Sequence, residues 1–196
     1  MILKKKIVLA STSIYRAQLL GRLGLQFVLA SPETSEVPLD GELPVETALR
    51  LAIAKALSLA PAHPNSLVIG GDQVADLKGL PIGKPGSRES AIKQLERMRG
   101  QTLLFHTGIA LLNTASANVQ SRMVTTTVRF REFSGQDIEN YLDREHALDC
   151  AGSAKSEGLG IALIASMQSD DPTALIGLPL IALIDMLQKE GISVLS

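Results

Sequence analysis

Four consecutive apolar residues, Ile7 to Ala10, run straight into Ser11-Thr12-Ser13, and a helical pattern from Ile14 to about Leu23 follows, closed by Gly24. A short apolar run without alternation is the mark of a buried strand, and Ser13 is a good residue to cap the helix behind it. The chain therefore opens on a strand-loop-helix unit. Its loop sets hydroxyls and backbone N–H groups at a helix N-terminus, where anions bind readily, and phosphate is the natural guest.

The same alternation continues along the chain. Leu25 to Ala30 reads as a second strand, Ser31 to Glu42 as an acidic loop carrying Glu33 and Glu36, and Val45 to Leu59 as a helix opened by Pro44. In that helix Leu49, Ala52, Ala56 and Leu59 lie at helical spacing with Arg50 and Lys55 among them. Ser66 to Ala75 is a β-rich apolar run broken by Gly70-Gly71-Asp72-Gln73, Gly79 to Pro85 reads as a loop, and Arg88 to Arg99 as a helix ended by Gly100. Thr102 to Leu112 and Met123 to Arg131 read as a hairpin linked by the polar stretch Asn113 to Ser121. Ser134 caps a helix from Gln136 to Arg144, a polar loop runs from Cys150 to Gly160, and a last helix follows Gly177-Leu178-Pro179 with Ile181, Ile184 and Leu187 along one side. Strands alternating with helices, plus one central hairpin, predict an α/β fold on a mixed sheet.

Bulk properties narrow the partners. The 196 residues suit one large domain or two small lobes, and 45% hydrophobic with 20% charged residues is an ordinary globular balance. A net charge of -1 offers no broad positive field, so duplex nucleic acid is an unsuitable partner and any phosphate must be gripped locally. The longest apolar stretches, such as Leu178 to Ile184, fall well short of the ~20 residues that span a membrane. A single cysteine and the lack of a secretory pattern at the N-terminus point to a reducing, cytoplasmic setting.

Asp72 is the first candidate for chemistry, because a carboxylate at the end of a buried strand costs free energy unless something uses it. Its plain alternative is a turn cap after Gly71. Cleaving a phosphoanhydride needs an activated water, a divalent ion on hard oxygen ligands and cations against the leaving phosphates. Glu36 and Asp72 are candidate bases or metal ligands; Arg16, Lys55 and Lys84 are candidate phosphate grips, although each alone would pass as a solvated surface charge. Gly79 to Pro85 has one residue too few between its glycines for a P-loop and no Ser or Thr after Lys84. Gly158-Leu159-Gly160 lacks the third glycine of a dinucleotide fingerprint. Cys150 reads as buried filler rather than a nucleophile, and it makes no zinc-ligand pattern with His63, His106 and His146.

Taken in order, Leu9-Ala10-Ser11-Thr12-Ser13 with Arg16, Arg50-Leu51-Ala52 with Lys55-Ala56, Gly71-Asp72-Gln73-Val74, Gly83-Lys84-Pro85, Ala151-Gly152-Ser153 and Gly177-Leu178-Pro179-Leu180 resemble the Maf-like nucleotide pyrophosphatases over nearly the whole chain. The resemblance implies an elongated Maf/Ham1 (ITPase)-like fold, a twisted mixed β-sheet flanked by helices, with two lobes of a single domain around a central cleft, often paired as a homodimer. It also implies hydrolysis of a nucleoside triphosphate to a monophosphate and pyrophosphate with a divalent cation such as Mg²⁺, Mn²⁺ or Co²⁺. By position, Asp72 is the proton acceptor, while Ser11, Arg16, Glu36, Lys55 and Lys84 line the phosphate and metal site, with Asp72 and Glu36 on the metal.

Within that family, Asp72-Gln73 and Lys155-Ser156-Glu157-Gly158 are similar to the branch acting on 7-methyl-GTP, whereas a dTTP and UTP branch has Asp-Thr at the first place. Glu157 can accept two hydrogen bonds from the N1–H and N2 amine edge of guanine, a pair that pyrimidines lack. Tyr15 stands where the branch usually carries tryptophan, and it can stack on the cationic methylated base for roughly 0.5 to 2 kcal/mol. The rival readings are a pyrimidine-selective pyrophosphatase and a non-catalytic nucleotide sensor acting in cell division.

Overall fold

The computed structural model describes residues 5–195. Among these residues, seven strands and five α-helices follow one another as β1 (Lys6–Ala10), α1 (Ile14–Gly21), β2 (Phe27–Ala30), α2 (Pro44–Ser58), β3 (Ser66–Leu77), β4 (Leu80–Ile82), α3 (Arg88–Met98), β5 (Thr102–Asn113), β6 (Asn118–Phe130), α4 (Gly135–Arg144), β7 (Ile164–Gln168) and α5 (Leu180–Lys189). Hydrogen-bonded neighbours run in the order β2-β1-β3-β5-β6-β7, with β4 beside β3. Strand β1 is parallel to both β2 and β3, while β4 on β3 and β7 on β6 are antiparallel, so the sheet is mixed as its hairpin predicts.

The chain forms two compact units, the first made of the segments up to Asp72, Thr107–Val124 and the stretch from Asp171 onward, the second of Gln73–His106 and Thr125–Asp170. Three long strands pass from one unit to the other, and β3 does so between Asp72 and Gln73. In the first unit, period-2 alternation sorts the strand residues onto two faces. Ile7, Leu9, Leu67, Ile69, Ile109 and Leu111 pack with Leu19 and Leu20 of α1 and Leu183, Met186 and Leu187 of α5. Val8, Ala10, Val68, Ala110 and Leu112 face Ala52 and Ala56 of α2. The second unit buries Ala91, Leu95 and Met98 of α3, Phe105, Val128 and Phe130 of the strands, and Ile138 and Tyr141 of α4.

Helix α2 lies unusually close to the sheet, and two glycines permit it. A Cβ on Gly70 would fall 2.0 Å from the Ala52 carbonyl oxygen and 2.8 Å from the Ala56 nitrogen, and one on Gly108 would fall 2.5 Å from the Ala48 oxygen. The small side chains of Ala48, Ala52 and Ala56 complete the fit from the helix side.

Four local expectations are corrected. Leu80–Ile82 is a strand, not loop: Lys78 and Gly79 both take positive φ, 57° and 84°, which is the two-residue turn that matches strand twist. Strand β6 begins at Asn118 rather than Met123, because the long buried β5 needs a pairing partner along its length whatever the polarity of the outward side chains. Ile164–Gln168 adds an unforeseen strand beside β6. In α5, Ile181 is exposed and the buried stripe is Leu180, Leu183, Met186 and Leu187, since a helix apolar from 180 to 184 does not fix its own phase. No helix among the described residues is long and apolar enough to cross a membrane.

Candidate active site

Within the first unit, the middle of β3 and the buried side of α2 meet at two charged groups; Asp72 is not at a strand end as the sequence suggests, because β3 continues unbroken to Leu77. Lys55 and Asp72 are 5% and 8% exposed, and Lys55 Nζ donates to Asp72 Oδ1 at 2.6 Å. Glu36, carried by the loop after β2, is largely exposed but brings Oε1 to 2.5 Å from the same ammonium. One lysine thus holds two carboxylates that are distant in sequence. Helical spacing places Lys55 on the side of α2 that faces the sheet, with Ala48, Leu51, Ala52 and Ala56, and Gly70 and Gly108 allow that side to approach closely.

Arg16 enters from the first turn of α1. Ser13 caps that helix by accepting from the Arg16 backbone N–H at 3.4 Å, and Ser11 Oγ accepts from the Ser13 N–H at 3.1 Å, so the hydroxyl loop is internally ordered. The Arg16 side chain donates from Nε to the Gly177 carbonyl at 2.8 Å and from Nη1 to Ser11 Oγ at 3.4 Å. Burial pulls the guanidinium's pKa below the usual arginine value, and the negative fields of Asp72 and then Glu36 work against that shift. Ser11, Arg16, Glu36, Lys55 and Asp72 are therefore one electrostatically linked group, and Tyr15 sits half-buried in the same first turn.

Glu36 and Asp72 are also the hard oxygen donors a divalent ion would use. Among the described residues no group of three or more His, Cys, Asp or Glu side chains gathers to hold a metal. Two carboxylates fit the habit of Mg²⁺-type ions, which take one or two protein carboxylates and complete their shell with water and substrate phosphates.

The remaining predicted residues belong to the second unit. Lys84 is exposed in the loop after β4, Gln73 is half-buried next to Asp72 in β3, and Glu157 is exposed in the loop after α4. Glutamine 94 of α3, not foreseen from sequence, binds that Lys84 loop to the segment before Glu157: Nε2 donates to the Gly83 carbonyl at 3.1 Å, and Oε1 accepts from Ser153 Oγ at 2.6 Å. Cys150 is half-buried, and burial followed by the nearby Asp149 and Glu157 charges pushes its thiol up to about 12, which suits filler and not a nucleophile.

A second unforeseen group orders the loop that carries Glu36. Arg50 grips Glu42 with both prongs, Nε to Oε1 at 2.5 Å and Nη2 to Oε2 at 2.7 Å, and its Nη2 also donates to the Val37 carbonyl at 3.3 Å. Glu42 accepts further from the Leu39 N–H and Thr47 Oγ1, at 3.0 and 2.9 Å. Its pKa drops to about 2, chiefly through the Arg50 hydrogen bond, although burial opposes the shift. Arg50 lies in a segment already singled out at Arg50-Leu51-Ala52, but its partner eight residues upstream carries no local signal.

A mixed sheet flanked by helices, a capped hydroxyl loop and a carboxylate-lysine-carboxylate cluster built on β3, α2 and the loop after β2 make up an α/β protein with one buried charged site. The chain belongs to the Maf-like protein family, whose model matches residues 6–190. It is 55% identical over 187 residues to a 7-methyl-GTP pyrophosphatase of Aromatoleum aromaticum, covering 95% of this chain and 96% of that one. It is 53% identical to a protein of the same name in Methylobacillus flagellatus (96% and 98% covered) and 54% identical to another in Chromobacterium violaceum (96% and 98% covered).

Proposed function

We propose that this chain hydrolyses 7-methyl-GTP between its α and β phosphates, releasing 7-methyl-GMP and pyrophosphate. The observation that carries the reading is the buried Lys55 held between Asp72 and Glu36 beside Arg16, a cluster of paired charges that a purely structural strand has no need to bury. Full-length identity above half to relatives of that name supports the same substrate.

In this reading a water oxygen attacks the α-phosphorus while Asp72 takes a proton from it, and the bond from the α-phosphorus to the bridging oxygen breaks as pyrophosphate departs. Arg16 and Lys55 neutralise charge along the triphosphate, with Lys84 a further candidate from its place in the sequence, and the hydroxyls of Ser11 to Ser13 bind phosphate oxygens. A divalent ion on Asp72 and Glu36 would polarise the phosphoryl oxygens and offset the charge of the leaving group. Glu157 and Gln73 are the candidates for recognising the base, and Tyr15 is the candidate for stacking on it. Its lone cysteine fits a reducing, cytoplasmic location.

The test is Asp72→Asn, assayed for pyrophosphate release from 7-methyl-GTP, GTP, UTP and dTTP with Mg²⁺, Mn²⁺ or Co²⁺. The variant is expected to lose at least about 10³-fold in kcat while nucleotide affinity changes by only a few-fold. Retained turnover would remove Asp72 as the base. Faster cleavage of UTP or dTTP by the wild type would move the chain to the pyrimidine branch, and tight binding with no metal-stimulated hydrolysis would make it a sensor.

A further inference from the structure

The loop bearing Glu157 is held at its root by two residues of the preceding helix region. Glu145, directly after α4, accepts from the Leu159 backbone N–H at 2.8 Å and from Lys155 Nζ at 3.3 Å, so its carboxylate reaches both sides of Glu157. Tyr141, one helical turn earlier and 3% exposed, accepts from the Lys155 backbone N–H at 3.1 Å. The loop is shaped to admit this brace: a Cβ on Gly158 would lie 2.2 Å from Glu145 Oε2, and one on Gly160 would lie 2.5 Å from both the Lys155 nitrogen and oxygen. The Glu145 pKa is lowered first by the Leu159 N–H and also by Lys155, so the brace works with the ionised carboxylate. Glu157 itself is exposed and accepts a long hydrogen bond, 3.4 Å, from its neighbour Ser156. Its direction is therefore set by the backbone beneath it.

We infer that Glu145 and Tyr141 are specificity-positioning residues: by clamping Lys155 and Leu159 they fix the carboxylate of Glu157 for the donor edge of a guanine base. The inference rests on the reading of Glu157 as the base-recognising residue. Neither residue needs to touch substrate. A brace of this kind acts on the choice of base, because the phosphate-binding residues Ser11, Arg16 and Lys55 belong to the other compact unit.

The experiment compares kcat/KM for 7-methyl-GTP with that for UTP in Glu145→Ala, Glu145→Gln, Tyr141→Phe and Glu157→Ala. Glu145→Ala is expected to lower the 7-methyl-GTP to UTP ratio about tenfold, mainly through KM for 7-methyl-GTP. Glu145→Gln keeps an acceptor for the Leu159 N–H and is expected to lose a smaller part of the ratio; Tyr141→Phe keeps the ring packing and is expected to lose a few-fold. Combining Glu145→Ala with Glu157→Ala should add little to Glu157→Ala alone. Equal losses on both nucleotides in all brace variants, or an unchanged ratio in them while Glu157→Ala collapses it, would overturn the inference alone. An unchanged ratio in Glu157→Ala would instead refute the reading of the base site and take the brace's role with it.

Discussion

Gly70→Ala tests the seat of the charged cluster. The new Cβ would lie 2.0 Å from the Ala52 carbonyl oxygen and 2.8 Å from the Ala56 nitrogen, both backbone atoms of a helix that cannot yield by turning a side chain. Restoring ordinary contact requires α2 to move off β3 by about 1.4 Å. Lys55 precedes Ala56 in that helix, and a shift of this size would stretch its 2.6 Å bond to Asp72 beyond hydrogen-bonding range. Overpacking a close interface costs about 1 to 3 kcal/mol, and a clash between two backbones belongs at the upper end. A displacement of about 1 Å in a positioned group costs on the order of 10²-fold in rate. Urea denaturation followed by circular dichroism should therefore give a lower midpoint, and kcat/KM for 7-methyl-GTP should fall about 100-fold in the folded fraction. Gly21→Ala is the control in the same unit, because nothing lies within 4 Å of its added Cβ and alanine favours the helix by up to about 1 kcal/mol. A Gly70→Ala protein with the wild-type midpoint and kcat/KM within twofold would refute the claim that close packing of α2 positions Lys55.

Further outcomes follow from the paired charges. Lys55→Met alone leaves Asp72 buried without its cation and is expected to cost about 3 to 5 kcal/mol, whereas Lys55→Met with Asp72→Leu should be neutral or up to about 4 kcal/mol more stable while inactive, as read by denaturant midpoints. Glu42, depressed to about 2 in the folded chain from an unfolded value of 4.5, adds stability that is present above pH 4.5 and is lost as pH falls toward 2. Thermal melts across that window should show Glu42→Gln with a flatter pH dependence than the wild type, and equal slopes would refute the role of the Arg50 pair.

Much of the fold is legible because its strands are buried on both faces or alternate cleanly. Ile7–Ala10 and the helix capped by Ser13 announce themselves in a dozen residues, and the structure has both. The early half of β6 was hidden because Asn118, Gln120, Ser121 and Arg122 point to no apolar face; their strand character comes from pairing with β5, which no local window contains. The phase of α5 was lost for the opposite reason. Leu180 to Ile184 are apolar on every side, so only packing against the sheet decides that Leu183 goes in and Ile181 stays out.

The candidate site divides along the same line. A carboxylate interrupting an apolar strand is readable because burying its charge is costly, so Asp72 stands out from any surface aspartate without knowledge of its surroundings. What makes that burial tolerable is non-local: the ammonium of Lys55, seventeen residues upstream, and the glycines that let its helix settle onto the strand. The double glycine Gly70-Gly71 is visible as an interruption, yet the purpose of Gly70 is seen only when Ala52 and Ala56 lie against it, while Gly71 faces the Arg16 side chain. The supports are less visible still. Glu42, Gln94, Tyr141 and Glu145 touch neighbours that a surface helix or loop would leave to water, and each fixes a segment whose own motif is plain in the sequence. Reacting groups are recognisable by chemical type, but the residues that aim them are recognisable only by what they touch, so changes among the latter should alter selectivity and rate while every motif stays intact.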